Sequence, residues 1–174
     1  MATQANDPVV GIVMGSDSDL SVMEAACQVL ESFQVTFELR ILSAHRCPQK
    51  TSQYAREACA RGLRVLIAGA GWAAHLAGVL AAETTLPVIG VPIASSPLQG
   101  VDALYATVQM PPGVPVATMA IGQGGARNAA LFAIQILALQ DVGLAEKFRL
   151  HKEEMIAQIA EKDQKLQGRM AGGH

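Results

Sequence analysis

Apolar and polar positions along this chain follow two rhythms. Short, nearly unbroken apolar runs at 9–14, 35–42, 65–70, 87–91 and 114–121 have the length of buried strands. Between them, apolar residues return every three or four positions, as on one face of a helix. The first such stretch, 19–33, places Leu20, Met23, Ala26, Cys27 and Leu30 on one side. The others are 48–61, 73–82, the short 102–109, 126–139 and 144–166. Pro48 sits near the first turn of its helix, where a missing amide hydrogen costs nothing. This β-α order predicts a parallel five-stranded sheet covered on both faces by helices, with right-handed crossovers.

Neither a linker nor an internal repeat interrupts the pattern. The chain reads as a single domain, with an α/β core at 8–140, a helical arm at 143–166 and a loose tail at 167–174. The arm is mostly polar, with Leu144, Phe148, Met155 and Ile159 as a thin apolar stripe. It is either a solvated surface helix or an arm that docks on a neighbouring subunit.

Composition changes the picture in one respect. Only 16% of the 174 residues are charged, against ~25% in ordinary soluble domains. Surface buried between subunits would explain this, and so would an alanine-rich α/β core. Net charge is −2 with no basic tract, so nucleic acid is not expected as a partner. There is no run of 18 apolar residues for a membrane span. Residues 1–7 lack the basic and apolar regions of a signal peptide. Cys27, Cys47 and Cys59 form no CxxC pair and suit free thiols in a reducing cytoplasm. Histidine and cysteine spacing fits no zinc site, and neither GxGxxG nor GxxxxGK[ST] occurs. No metal or cofactor is expected.

In parallel α/β sheets, ligands bind at the carboxyl ends of the strands. The segments just after each strand are therefore the candidates. Gly15-Ser16-Asp17-Ser18-Asp19 follows the first strand. Ser16, Ser18 and the helix-start amides could donate to phosphate, while the Asp19 carboxylate suits sugar hydroxyls. The same residues also suit plain helix capping. Ser43-Ala44-His45-Arg46-Cys47-Pro48 follows the second strand. Arg46 offers a fork for phosphate, and histidine is the residue type that gives and takes protons near neutral pH. After the third strand, Ala68 to Leu76 is rich in small residues that let a ligand approach the backbone, and His75 is expected in the first turn of the next helix. Later loops at 92–102, with Ser95 and Ser96, and at 109–115 could wall a pocket or form a subunit contact. The segment 122–128 (GQGGARN) is either a phosphate site or a capped turn.

Taken together, these motifs resemble the N5-carboxyaminoimidazole ribonucleotide mutase family over 9–139. The segments are GSDSD at 15–19, SAHR-x-P at 43–48, GAG-x-AAHL at 69–76, LPVIGVP at 86–92, QMPPGVPVAT at 109–118 and NAAL at 128–131. The resemblance implies a three-layer αβα fold of flavodoxin/Rossmann-like type. It also implies a homo-octamer with the last helix exchanged between subunits and sites where subunits meet. It assigns Ser16, Asp19 and Arg46 to nucleotide binding and His45 to general acid–base catalysis. His75, a second candidate catalytic residue, lines the site of carboxylate transfer with Ala70, Gly71 and Leu76. Ser18 and Ser43 complete the candidate substrate-binding set.

The implied substrate is a small ribonucleotide, with transient handover from the ATP-dependent carboxylating enzyme as a possible partner step. The chain departs from the family pattern at Trp72, where glycine is usual, at Ala77, where proline often stands, and at Cys47, a frequent threonine. Two other readings compete. One is direct carboxylation by free carbon dioxide, whose families tend to carry lysine in place of Arg46. The other is a non-catalytic flavin- or nucleotide-binding module, for which Trp72, Tyr54 and Tyr105 are few stacking residues. A degenerate homologue kept for assembly is disfavoured by the presence of His45, Arg46 and His75.

Overall fold

The computed structural model describes residues 7–171. The elements run β1 (Val10–Met14), a 3-10 turn (Asp17–Asp19), α1 (Leu20–Ser32), β2 (Phe37–Ile41), α2 (Pro48–Ala58), β3 (Val65–Gly71) and α3 (Leu76–Glu83). They continue through β4 (Val88–Ile93), α4 (Val101–Val108), β5 (Ala117–Thr118), α5 (Gln123–Ala138) and α6 (Val142–Ala171). The strands form one parallel sheet in the order β2-β1-β3-β4-β5. Helices flank it in a three-layer α/β fold, as the alternating pattern predicts. Because β1 pairs with β2 on one side and β3 on the other, the connections diverge at β1 and β3. That divergence opens a crevice at their carboxyl ends.

The centre of the sheet is apolar on both faces. Val10, Ile12, Val13, Val65, Leu66, Ile67 and Ile89 are fully buried. Successive residues point to opposite faces. Val13, Leu66 and Ala68 cluster with Tyr54, Ala55 and Ala58 of α2 and with Leu76, Ala77 and Leu80 of α3. On the other face, Gly69 meets α1 so closely that an added Cβ would lie 2.3 Å from the Met23 sulfur. At the sheet edge, the Tyr54 hydroxyl donates to Glu38 Oε1 at 2.8 Å, and Arg61 pairs with the same carboxylate. Burial and that carboxylate push the Tyr54 phenol well above its ordinary pKa.

Several boundaries differ from those the pattern predicts. The fifth strand, expected over 114–121, contracts to Ala117–Thr118. It lies at the sheet edge, and Pro115 has no amide to give a ladder. α3 starts at Leu76 rather than 73, because Trp72 adopts a positive φ of 53° and bends the chain. His75 consequently occupies the N-cap position of α3, without a side-chain capping hydrogen bond, rather than its first turn. α5 begins three residues early, so Gln123-Gly124-Gly125 is helix rather than loop.

Among the described residues, those up to Ile136 form one compact unit and those from Leu137 another. In the second, the Asp141 carboxylate accepts the Leu144 amide at 2.9 Å and caps α6. Arg149 pairs with Glu146 and Glu153, and Lys165 with Glu161, at the three- and four-residue spacings that support an exposed helix. Met155, Ile156, Ile159, Leu166 and Met170 are exposed along it. α6 continues to Ala171, so the tail expected at 167–174 is helical that far; residues 172–174, like residues 1–6 of the polar N-terminal segment, lie outside the described residues. No described helix is long and apolar enough to cross a membrane. Cys27, Cys47 and Cys59 are free thiols.

Candidate active site

Three strand-end loops meet over the crevice between β1 and β3. After β1, Ser16 is extended (φ −152°) and caps the 3-10 turn. Its Oγ accepts the Ser18 amide at 3.4 Å, and its own amide donates to Asp19 Oδ2 at 3.1 Å, a reciprocal capping box. The capping reading of this motif therefore holds, and the same residues also face the crevice. Asp19 is buried, only 5% exposed. Loss of solvent raises its pKa despite the amide hydrogen bonds and the nearby Arg46 cation that act the other way. Asp17, outside the crevice, is lowered by hydrogen bonds from the Ser16 hydroxyl and the Ser18 amide.

After β2, the chain turns tightly. The Cys47 amide donates to the Ser43 carbonyl at 3.0 Å. Ser43 Oγ accepts from the Arg46 amide at 3.2 Å and from Arg46 Nε at 3.4 Å. Arg46 Nη2 then reaches the Gly15 carbonyl at 2.7 Å and ties the first loop to the second. After β3, Gly71 lies against the segment following β4, where an added Cβ would overlap Ser95 Oγ at 1.8 Å. The bend at Trp72 follows. Ala74 then turns into the core, 2% exposed, and the His75 amide donates to the Ala73 carbonyl at 2.8 Å.

This bend brings the two histidines together. His45 Nε2 and His75 Nδ1 are 2.8 Å apart, with the rings near perpendicular at 83°. At that distance one hydrogen lies between the two nitrogens, and either ring could carry it. Both face a cleft of about 410 Å3. Its wall holds all ten residues singled out from the sequence: Ser16, Ser18 and Asp19 from the first loop, Ser43, His45 and Arg46 from the second, and Ala70, Gly71, His75 and Leu76 from the third. A second hollow of about 410 Å3 shares Ser16, Ser43 and Arg46 and adds Asp17, Ile41 and Cys47.

Gly15, Ala44, Trp72, Ala73 and Ser95 also line the first cleft; they lie in strand-end segments named from the sequence but were not singled out there as site residues. Ser95 stands just beyond β4, in the 92–102 loop that the sequence left open between a pocket wall and a subunit contact. The 122–128 segment does not line the cleft; Gln123 Nε2 instead donates to the Ser21 carbonyl at 3.1 Å. The proline-rich 109–115 loop is likewise absent from the wall. Among the described residues, no three histidine, cysteine, aspartate or glutamate side chains gather as metal ligands would.

Comparison with known proteins identifies the family. The AIR carboxylase family model matches residues 9–158. The N5-carboxyaminoimidazole ribonucleotide mutase of Pyrococcus abyssi is 56% identical over 148 residues, covering 85% of this chain and 84% of that protein. The mutase of the same name from Synechocystis is 53% identical over 160 residues, covering 92% and 90%. Among solved structures, Treponema denticola PurE superposes with a TM-score of 0.81 at 30% identity, covering 91% of this chain and 98% of that one. On the family match over 9–158 and the identity to these relatives, the chain belongs to the AIR carboxylase family.

Proposed function

We propose that this chain is a mutase of purine biosynthesis. It converts N5-carboxyaminoimidazole ribonucleotide into 4-carboxy-5-aminoimidazole ribonucleotide through carbon dioxide held in the cleft. The observation that carries this reading is the His45–His75 contact of 2.8 Å inside a cleft that also presents Arg46 and Ser16. A phosphorylated sugar suits that surround. Arg46, Ser16, Ser18 and Ser43 supply donors for phosphate, and the Asp19 carboxylate accepts from ribose hydroxyls. Ala70, Gly71 and Leu76 leave a small, weakly polar space for carbon dioxide.

The chemistry follows from the bonds that must change. His45 in its cationic form gives a proton to the carbamate nitrogen. The carbon–nitrogen bond breaks, its electrons stay on nitrogen, and carbon dioxide and a free amine result. That amine feeds electrons into the ring, and the ring carbon attacks carbon dioxide to form the new carbon–carbon bond. His45, now neutral, removes the hydrogen from that carbon and is ready for the next cycle. His75 Nδ1 is placed to hold the shared hydrogen of His45 Nε2 until substrate takes its place. Protons balance over the cycle, so the reaction calls for no ATP. The demanding part is retention of carbon dioxide, a matter of positioning and exclusion.

The same reading carries the assembly. The chain works as a homo-octamer in the cytoplasm, with the 8–140 core bearing the site and the 143–166 arm docking on a neighbouring copy. The exposed Met155, Ile156 and Ile159 support that docking. The labile carbamate arrives by handover from the enzyme that makes it. The test follows absorbance as the N-carboxylated ribonucleotide becomes the ring-carboxylated one, without ATP, metal or added bicarbonate. Conversion by the wild-type chain is expected. Folded protein that converts nothing, yet carboxylates aminoimidazole ribonucleotide with bicarbonate, would contradict it.

A further inference from the structure

Trp72 is the chain's only tryptophan. It sits between Gly71 and Ala73 with φ at +53°, in the left-handed region. A bulky L-residue crowds its own backbone there, and glycine would not. The bend it makes is needed, because it turns Ala74 into the core and sets His75 against His45. Glycine would make the same bend without strain, so the bend does not explain the indole. Nor does burial, since Trp72 is 58% exposed. The chain therefore bears both backbone strain and a large apolar surface that its own fold leaves uncovered at this position.

The position itself suggests what offsets those costs. Trp72 lines the cleft that holds both histidines, and apart from those two it is the only ring among the described lining residues. Strain held at a cleft wall is the kind that a bound ligand compensates. We propose that Trp72 is a substrate-binding residue whose indole forms an aromatic wall against the aminoimidazole ring of the ribonucleotide. The proposal rests on the reaction assigned above. A planar heterocycle stacks on an indole without needing particular hydrogen bonds, while Arg46 and the serines hold the phosphate end.

The single tryptophan makes the idea directly readable. Titration of wild-type protein with the ring-carboxylated product should change indole emission saturably. Trp72→Gly should raise KM about tenfold while kcat stays within about twofold, the signature of lost ground-state binding. Trp72→Phe should fall between the two. Because glycine relieves the strain, Trp72→Gly should melt no lower than wild type. Unchanged emission at saturating product, or an unchanged KM in Trp72→Gly, would overturn the proposal while wild-type conversion leaves the reaction intact. So would a melting midpoint several degrees lower, or emission that follows protein concentration alone, since either places the indole in a packing contact. Wild-type protein that converts no carboxylated ribonucleotide would overturn the reaction, and with it the ligand assigned here.

Discussion

The middle of the sheet and its carboxyl rim are made by the same strands on opposite terms. In the middle, Ile12, Leu66, Ile67 and Ile89 lie in fully buried contact with helices on both faces. At the rim, His45 and Arg46 are exposed and Asp19 is buried as a carboxylate, each held by hydrogen bonds rather than by packing. The middle supplies stability and is indifferent to chemistry. The rim contributes little to stability and is where the proposed reaction takes place. Variants in the two regions should therefore move different observables.

The largest expected effect is in the middle. Ile12→Ala removes a fully buried side chain and should cost ~2–5 kcal/mol by denaturant unfolding, with kcat per folded molecule unchanged. A loss of kcat at wild-type stability would break the separation. Next is His45→Asn, which should lower kcat by about 100-fold or more while nucleotide binding and melting midpoint stay near wild type. Arg46→Ala should come third. It removes a charged donor and should raise KM by roughly tenfold or more in steady-state kinetics, with a smaller change in kcat.

The smallest effect sharpens the comparison, because Asp19 belongs to both regions. Burial raises its pKa above 3.8, so the native state holds the proton more tightly than the unfolded chain. Stability from this group is present below that value and is lost as pH rises through the raised one. Asp19→Asn lacks this loss and still offers an oxygen to the Ser16 amide. Its melting midpoint relative to wild type should therefore be higher at about pH 6 than at about pH 3, even as substrate binding weakens.

Much of this division was legible in the sequence. The strands are uninterrupted apolar runs because both faces of the sheet are covered, and that is what makes Val9 to Met14 and Val65 to Ala70 plain to read. The rim was legible because strand ends in such a fold converge, so Ser16, His45 and His75 could be placed together although they are far apart in the chain. What was not legible depends on local backbone geometry. Pro115 shortens β5, and the positive φ of Trp72 moves the start of α3 and leaves His75 at its N-cap position. The 92–102 loop was legible only as a pocket wall or a subunit contact; that Ser95 joins the cleft rests on its closeness to Gly71, which periodicity does not encode. The hydrogen shared between His45 and His75 is likewise a distance of 2.8 Å between two loops that no spacing rule gives.

In the proposed reaction the cleft keeps the carbon dioxide it frees. This retention is tested most directly by supplying ribonucleotide with an isotopically labelled N-carboxylate in the presence of unlabelled bicarbonate, and by counting label in the ring-carboxylated product over a single turnover. Nearly all of the label is expected in the product. Product that carries carbon from the bicarbonate pool instead would contradict it and assign the chain to direct carboxylation.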